Sequence, residues 1–208
     1  MTRPVDEVAH ARTCGRILDA ARRLFAEEGF HAASVSALAK ACRLTKAGLY
    51  HYFPSKQAIL HALHKEVADQ AVAQLEQFPR FATLGEAMQH AGRAYLTHFK
   101  DPKHLQMMQV KFKLGLHDPE RADPSFSMEE PGLHEKMIGL FIPYLPKETP
   151  KKKAELFALQ FFGGLFYYVF VQNQFCLPGH SPVDAEDYLQ QLVQTFTADP
   201  QAVLKGSR

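Results

Sequence analysis

The chain has 208 residues, 46% of them hydrophobic and 22% charged, and carries a formal net charge of +2. That is enough for one generous domain or two small ones, and the composition excludes disordered and fibrous proteins. Charge is uneven: residues 1–56 hold nine Lys/Arg against five Asp/Glu, and residues 57–208 hold 15 against 17, so a polyanion is expected to meet the N-terminal end.

The periodicity is helical almost throughout. Ile17, Ala20, Ala21, Leu24 and Phe25 make one apolar stripe and predict a first helix over residues 8–28. Gly29 is its expected left-handed terminator, with Phe30 folding back onto the helix end. Ser34 is the expected N-cap of a second, short helix whose inner face is Val35, Leu38, Ala39 and Cys42. Cys42-Arg43-Leu44 is a brief connection. Thr45 then caps a third helix over residues 46–53, which Pro54 stops. Ser55 caps a long fourth helix carrying Ile59, Leu60, Leu63, Val67 and Leu75 toward Phe78.

Leu84, Met88, Ala91, Tyr95 and Phe99 stripe a fifth helix, and Leu105, Met108, Phe112 and Leu116 a sixth. Residues 117–131 read as a loop, with three prolines and no sustained period. Leu133, Met137, Leu140, Phe141 and Tyr144 stripe a seventh helix. Residues 154–177 form an apolar eighth, and Leu189, Leu192, Val193 and Phe196 an amphipathic ninth. No Asp, Glu, Lys or Arg occurs between Leu156 and Val183. The strictly apolar part, Leu156–Val171, contains Gln160 and falls short of the roughly 20 residues a membrane span needs. The reading is a helix buried on most sides, inside the protein or against a second subunit, and no membrane partner.

Two short helices joined by a few residues and packed on a preceding helix make a helix-turn-helix, whose second helix enters the DNA major groove. Residues 44–56, LTKAGLYHYFPSK, fit that role. Leu49 and Phe53 share one face and hold the helix on its neighbours. Lys46, Ala47, Tyr50 and His51 then project elsewhere. Ala47 and Gly48 are small enough for close approach to DNA. Thr45 and the free N–H groups of the first turn suit a phosphate. Tyr50 offers a hydroxyl to another, and Lys56 is placed to neutralise a third from the far side. Tyr52 reads as half-buried support. Arg3 and Arg12 are either minor-groove contacts or part of a disordered, solvated arm.

Taken together, ILDAARRLFAEEGFHAASVSALAKACRLTKAGLYHYFPSKQAIL, residues 17–60, resembles the DNA-binding domain of the TetR family of bacterial transcriptional regulators. The shared pattern is an apolar residue then AA, LF, a GF turn, a Thr/Ser cap, a short turn, and LY-x-(Y/H)-F followed by Ser/Asn-Lys. Two positions depart from it: Arg43 stands where the family often has the turn glycine, and Ala47-Gly48 reverses its common glycine-then-small order. A left-handed Arg43 costs about 1 kcal/mol, which a phosphate contact would offset. The resemblance implies an all-α fold of about nine helices. Residues 8–54 would form the DNA-binding domain and residues 55–208 a ligand-binding and dimerisation domain. The DNA-binding set is then Ser34, Arg43, Thr45, Lys46, Ala47, Gly48, Tyr50, His51 and Lys56.

The same resemblance implies a homodimer through the helices near 154–177 and 184–197, palindromic double-stranded operator DNA, and a small-molecule effector. Gly163-Gly164 either admits close helix approach or relieves crowding among phenylalanines. Aromatic and methionine side chains of the central helices are the expected ligand lining: Tyr95, Met108, Phe112, Met137, Phe141, Phe162 and Phe166, with Met107 and Tyr167 nearby. The ligand class is hydrophobic or amphipathic. Its binding would favour a dimer with splayed recognition helices, with the fourth helix as lever. Repression relieved by ligand is the family's common behaviour; activation stays open.

Other classes find little support. No GxSxG, HExxH or phosphate-binding glycine loop occurs, so no enzyme and no cofactor are expected. His61 and His64 lie at i, i+3, an incomplete metal site, and read as solvated. Cys14, Cys42 and Cys176 are odd in number and widely spaced, neither a disulfide framework nor a zinc site, which suits the cytoplasm. The N-terminus has acidic residues and no apolar run, unlike a signal peptide. The alternative is a helical small-molecule-binding protein without sequence-specific DNA binding.

Overall fold

The computed structural model describes residues 4–117, 133–174 and 183–199. Among the described residues the regular structure is nine α-helices and one 3₁₀ turn, with no strand. Cys176, Arg3 and most of the loop expected over 117–131 lie outside the described residues.

The helices form two compact units. The first holds α1 (Pro4–Glu28), α2 (Val35–Ala41), α3 (Lys46–Tyr52), α4 (Lys56–Glu76) as far as Ala71, and α6 (Pro102–His117). The second holds the last turn of α4, α5 (Leu84–His98), α7 (Leu133–Gly139), α8 (Lys151–Gln174) and α9 (Ala185–Ala198). The division differs from the break expected after Pro54, because most of α4 and all of α6 pack with the N-terminal helices.

In the first unit the stripe read from the sequence is the core. Ile17, Ala20, Ala21 and Phe25 are buried, and they meet Leu38, Ala39, Cys42, Leu49, Ile59, Leu60 and Leu63. Helix α1 starts at Pro4, earlier than expected, with proline at a position that needs no N–H donor. Arg12 is therefore an exposed helical residue, not part of a disordered arm. Gly29 ends α1 with φ of 87°, and Phe30 returns to stack edge-on against Phe25 at 5.2 Å. In α6 the stripe through Leu105, Met108 and Phe112 is not the buried one. Met107 and Val110 enter this core, and Phe112 is exposed.

In the second unit Thr83 and Glu86 form a reciprocal capping box at the start of α5, and Asp184 caps α9. Helices α5 and α9 approach closely at Gly92, where an added Cβ would lie 2.2 Å from Leu189 Cδ1. The seventh helix is shorter than its stripe. It stops at Gly139, and Ile142–Tyr144 continue as a 3₁₀ turn. Pro143 lacks the N–H for a further α-helical turn and would clash with the carbonyl four residues back. Tyr144 instead accepts a hydrogen bond on its hydroxyl from Phe81 N at 2.8 Å.

By length and composition α8 could span a membrane. Its buried residues, Ala154, Phe157, Ala158, Phe161, Leu165 and Val169, recur every three or four positions and face α5, α7 and α9. That is the one-sided burial of a bundle helix. On the other side Leu159 is 56% and Tyr167 65% exposed, with Leu156 beside them, so within one chain the helix is covered on one side.

Candidate nucleic-acid interface

Local chemistry sets up the two short helices. Ser34 is extended, at φ −87° and ψ 145°, and its Oγ accepts from Ala37 N at 3.0 Å. Helix α2 then ends at Cys42, and the next residue turns the chain. Arg43 has φ of 55°, the sole left-handed residue other than glycine among those described. Leu44 N returns to Ala39 O at 2.9 Å. Thr45 resumes extended geometry, and its Oγ1 accepts from Gly48 N at 3.0 Å. All three serine and threonine caps read from the sequence are made, since Ser55 Oγ accepts from Ala58 N at 3.0 Å.

Helix α3 has two turns. Leu49 is buried, Phe53 is half-buried, and Phe53 leaves the helix in an extended conformation before Pro54. Lys46, Ala47, Tyr50 and His51 are exposed together at the start and outer side of the helix. Tyr50 keeps 47% of its surface in solvent. Tyr52 packs against the core and its ring lies 4.9 Å from that of His10, the supporting role expected of it. Gly48 has an internal reason to be small: a Cβ there would press on Thr45 Oγ1 at 3.2 Å.

Lys56 differs from its expected role. Its ammonium donates to Phe30 O at 2.6 Å, Ala33 O at 2.9 Å and His31 O at 3.3 Å, and lies 4.5 Å from the centroid of the Phe30 ring. An ammonium has three N–H donors, and all three face inward here, so none is left for a phosphate. Burial lowers the Lys56 pKa from the ordinary lysine value. Burial likewise raises the Cys42 thiol, although Arg16 and Arg23 pull the other way.

Two further cations of this unit carry no sequence signal. Arg22 is buried and forks between Asp19 Oδ1 and Glu66 Oε2, each at 2.8 Å. Lys113 of α6 donates to Ala26 O and to Glu27 O, the latter at 2.9 Å. Both depend on helix neighbours far away in sequence. His64 is buried rather than solvated, and among the described residues no group of three or more His, Cys, Asp or Glu could hold a metal.

The expected ligand-lining residues divide. Tyr95, Phe141 and Phe162 come together in the second unit, with Tyr95–Phe162 and Phe141–Phe162 centroids both 5.7 Å apart. Burial raises the Tyr95 hydroxyl pKa. Phe166 stacks on Phe170 at 6.0 Å, and Met137 is half-buried in α7. Met108 and Phe112 belong to the first unit.

Residues 17–63, which span every element of this interface, match the model of bacterial regulatory proteins of the tetR family. These residues carry the tetR-family DNA-binding domain. The chain is 42% identical over 62 residues to the HTH-type transcriptional regulator UidR of Escherichia coli K12, a match covering 30% of this chain and 32% of UidR. The chain thus matches about a third of that relative's length. The likeness in fold extends further. GusR of Salmonella enterica superposes with a TM-score of 0.66 at 20% identity, covering 99% of this chain and 98% of GusR. AibR, solved in complex with isovaleryl coenzyme A and operator DNA, gives 0.62 at 19% identity over 88% of this chain and 97% of AibR.

Proposed function

We propose that this chain is a cytoplasmic, dimeric, sequence-specific transcriptional regulator, a repressor released from a palindromic operator by a hydrophobic or amphipathic small molecule. The observation that carries this reading is α3. It is a two-turn helix capped by Thr45 and anchored by Leu49, and it turns Lys46, Ala47, Tyr50 and His51 outward together. Small and hydrogen-bonding residues at a helix N-terminus are what major-groove reading requires. Thr45, Lys46, Ala47, Gly48, Tyr50 and His51 would meet bases and phosphates, with Ser34 and Arg43 on the flanking backbone. Functionally, residues 8–54 are the reader, and residues 55–208 hold the effector and the second copy.

The dimer reading rests on α8, whose face through Leu156, Leu159 and Tyr167 is apolar and exposed. A second copy covering it, with α9 alongside, removes that surface from water. For the effector, Tyr95, Phe141 and Phe162 supply an aromatic wall. AibR's complex with an acyl thioester and operator DNA supports an amphipathic ligand class.

The test is selection of bound fragments from a random DNA pool, then affinity against salt. The reading expects an enriched palindrome whose binding weakens steeply as salt rises. Salt-sensitive binding with no enriched sequence would leave a small-molecule-binding protein with a basic surface.

A further inference from the structure

The end of α1 is electrostatically wrong for a helix on its own. Helix C-termini favour cations, yet the last turn of α1 has no basic residue and contains Glu27 and Glu28. The missing cations arrive from two other helices. Lys113 of α6 donates to the carbonyls of Ala26 and Glu27, and Lys56 of α4 to those of Phe30, His31 and Ala33. Between them they engage five carbonyls around the corner that joins α1 to α2. Gly29, at φ of 87°, forms that corner, with Gly29 N bonded to Phe25 O and Ala33 N to Gly29 O. Val35, the first residue of α2, follows two residues after Ala33, and α3 follows α2 after a short turn.

We propose that Lys56 and Lys113 are positioning residues: a two-lysine clamp that fixes the α1–α2 corner, and through it the attitude of α3, to α4 and α6. The proposal rests on the DNA-reading role of α3. Helix α4 runs on into the second unit, and α6 follows directly from the end of that unit's Val72–Asp101 segment. Both lysines therefore sit on helices whose displacement would pull at one corner. The clamp ties the corner before the reading helix to both α4 and α6. It also separates Lys56 from the phosphate-contacting residues.

The experiment compares Lys56→Met, Lys113→Met and Lys113→Arg in the full-length chain. Methionine keeps the length and removes the charge. Two readouts are taken below the melting temperature of every variant. Amide hydrogen exchange at Gly29, Ala33 and Leu38 needs no DNA. Each methionine variant should exchange about tenfold faster there, and Lys113→Arg should restore protection. With the sequence enriched by the unsubstituted chain, each methionine variant should lose about tenfold in specific affinity while non-specific binding and its salt slope stay unchanged. A salt slope reduced by about 0.9 in Lys56→Met, with non-specific affinity falling too, would make Lys56 a phosphate contact and overturn the proposal. Unchanged exchange in both methionine variants would overturn it as well. Failure to enrich any sequence would sink the DNA-reading role instead, and the exchange readout would still decide whether the clamp holds the corner.

Discussion

In the first unit, charged side chains do much of the joining between helices; in the second, aromatic rings do. Arg22 ties α1 to α4 through Glu66, Lys103 reaches Asp19 from α6, and Lys56 and Lys113 hold the α1–α2 corner. In the second unit Phe141 meets Phe157, Phe161 and Phe162, and Phe196 meets Phe157 and Phe161. The surfaces left over differ accordingly. The first unit turns Lys46, Tyr50 and His51 to solvent; the second turns out Leu156, Leu159 and Tyr167. The first unit commits Arg22, Lys56 and Lys113 to internal bonds and leaves Arg12, Arg16, Arg23, Lys40, Arg43 and Lys46 exposed for a polyanion. The second unit, proposed above to meet its own copy, keeps an apolar stripe instead.

The largest expected effects break that comparison one side at a time. Lys46→Glu should lower operator affinity roughly 100-fold at physiological salt, through a lost phosphate contact and a new repulsion. The dimer and the melting temperature should stay as they were. Leu159→Glu should do the reverse to the assembly. A carboxylate placed in an apolar contact would convert the dimer to monomer by sedimentation, and operator binding would fall because one half-site cannot be held alone. Should Leu159→Glu remain dimeric, the α8 face would not be the interface.

Gly92→Ala should be next in size. Leu189 is buried, so it has little room to yield to a Cβ at 2.2 Å. Overpacking of this kind costs about 1–3 kcal/mol, more than alanine's better helix propensity returns. A urea midpoint equal to the unsubstituted chain's would mean that α5 and α9 separate freely. The same substitution in the first unit, Gly48→Ala, presses only on the tip of Thr45, with Leu44 at ordinary contact distance, and should cost less stability.

How much of this was legible in the sequence follows from range. Caps, the glycine corner, the proline stop and the stripe of α1 are local obligations, visible within a few residues, and the recognition helix is built almost wholly from them. Lys56, Lys113 and the Arg22–Glu66 pair were illegible in their roles because the partners lie 23 to 87 residues away. The seventh helix misled because an apolar stripe continued past Gly139, while Pro143 ended the hydrogen bonding. The stripe chosen for α6 failed since helical periodicity names faces but not which face meets which neighbour. Met107 is buried and Phe112 exposed for that reason.

Arg43→Gly should have a smaller effect, of opposite sign on stability and binding. The left-handed φ of 55° costs a side chain about 1 kcal/mol that glycine avoids. The melting temperature should rise by roughly 2–4 °C. Operator affinity should fall modestly, with a salt slope lower by about 0.9, if the guanidinium meets a phosphate. A higher melting temperature with an unchanged slope would leave Arg43 as a tolerated strain with no role on DNA.

The smallest effect concerns acid, and it compares one carboxylate from each unit. Burial pushes the Asp19 carboxyl upward, but hydrogen bonds and charge from Arg22 and Lys103 outweigh it, and its pKa lies below the ordinary aspartate value. Glu186 is likewise lowered, chiefly by its hydrogen bonds from Arg93. A depressed carboxyl contributes stability that is complete above its unfolded pKa and is lost as pH falls through the folded one. Both residues should therefore make the fold more sensitive to acid, and neither should add pH dependence near neutrality. Salt separates them. The guanidinium partner of Asp19 is buried, whereas Arg93 and Glu186 are both in solvent, where screening is strongest and ion pairs contribute little. Urea midpoints of Asp19→Asn and Glu186→Gln, compared at neutral and acid pH and at low and high salt, check this. Asp19→Asn should flatten the acid limb at both salts, and Glu186→Gln only at low salt. If high salt abolished the Asp19 contribution as well, the buried Arg22 would be no better shielded from ions than a surface side chain, and the charge-joined first unit would lose its distinction from the second.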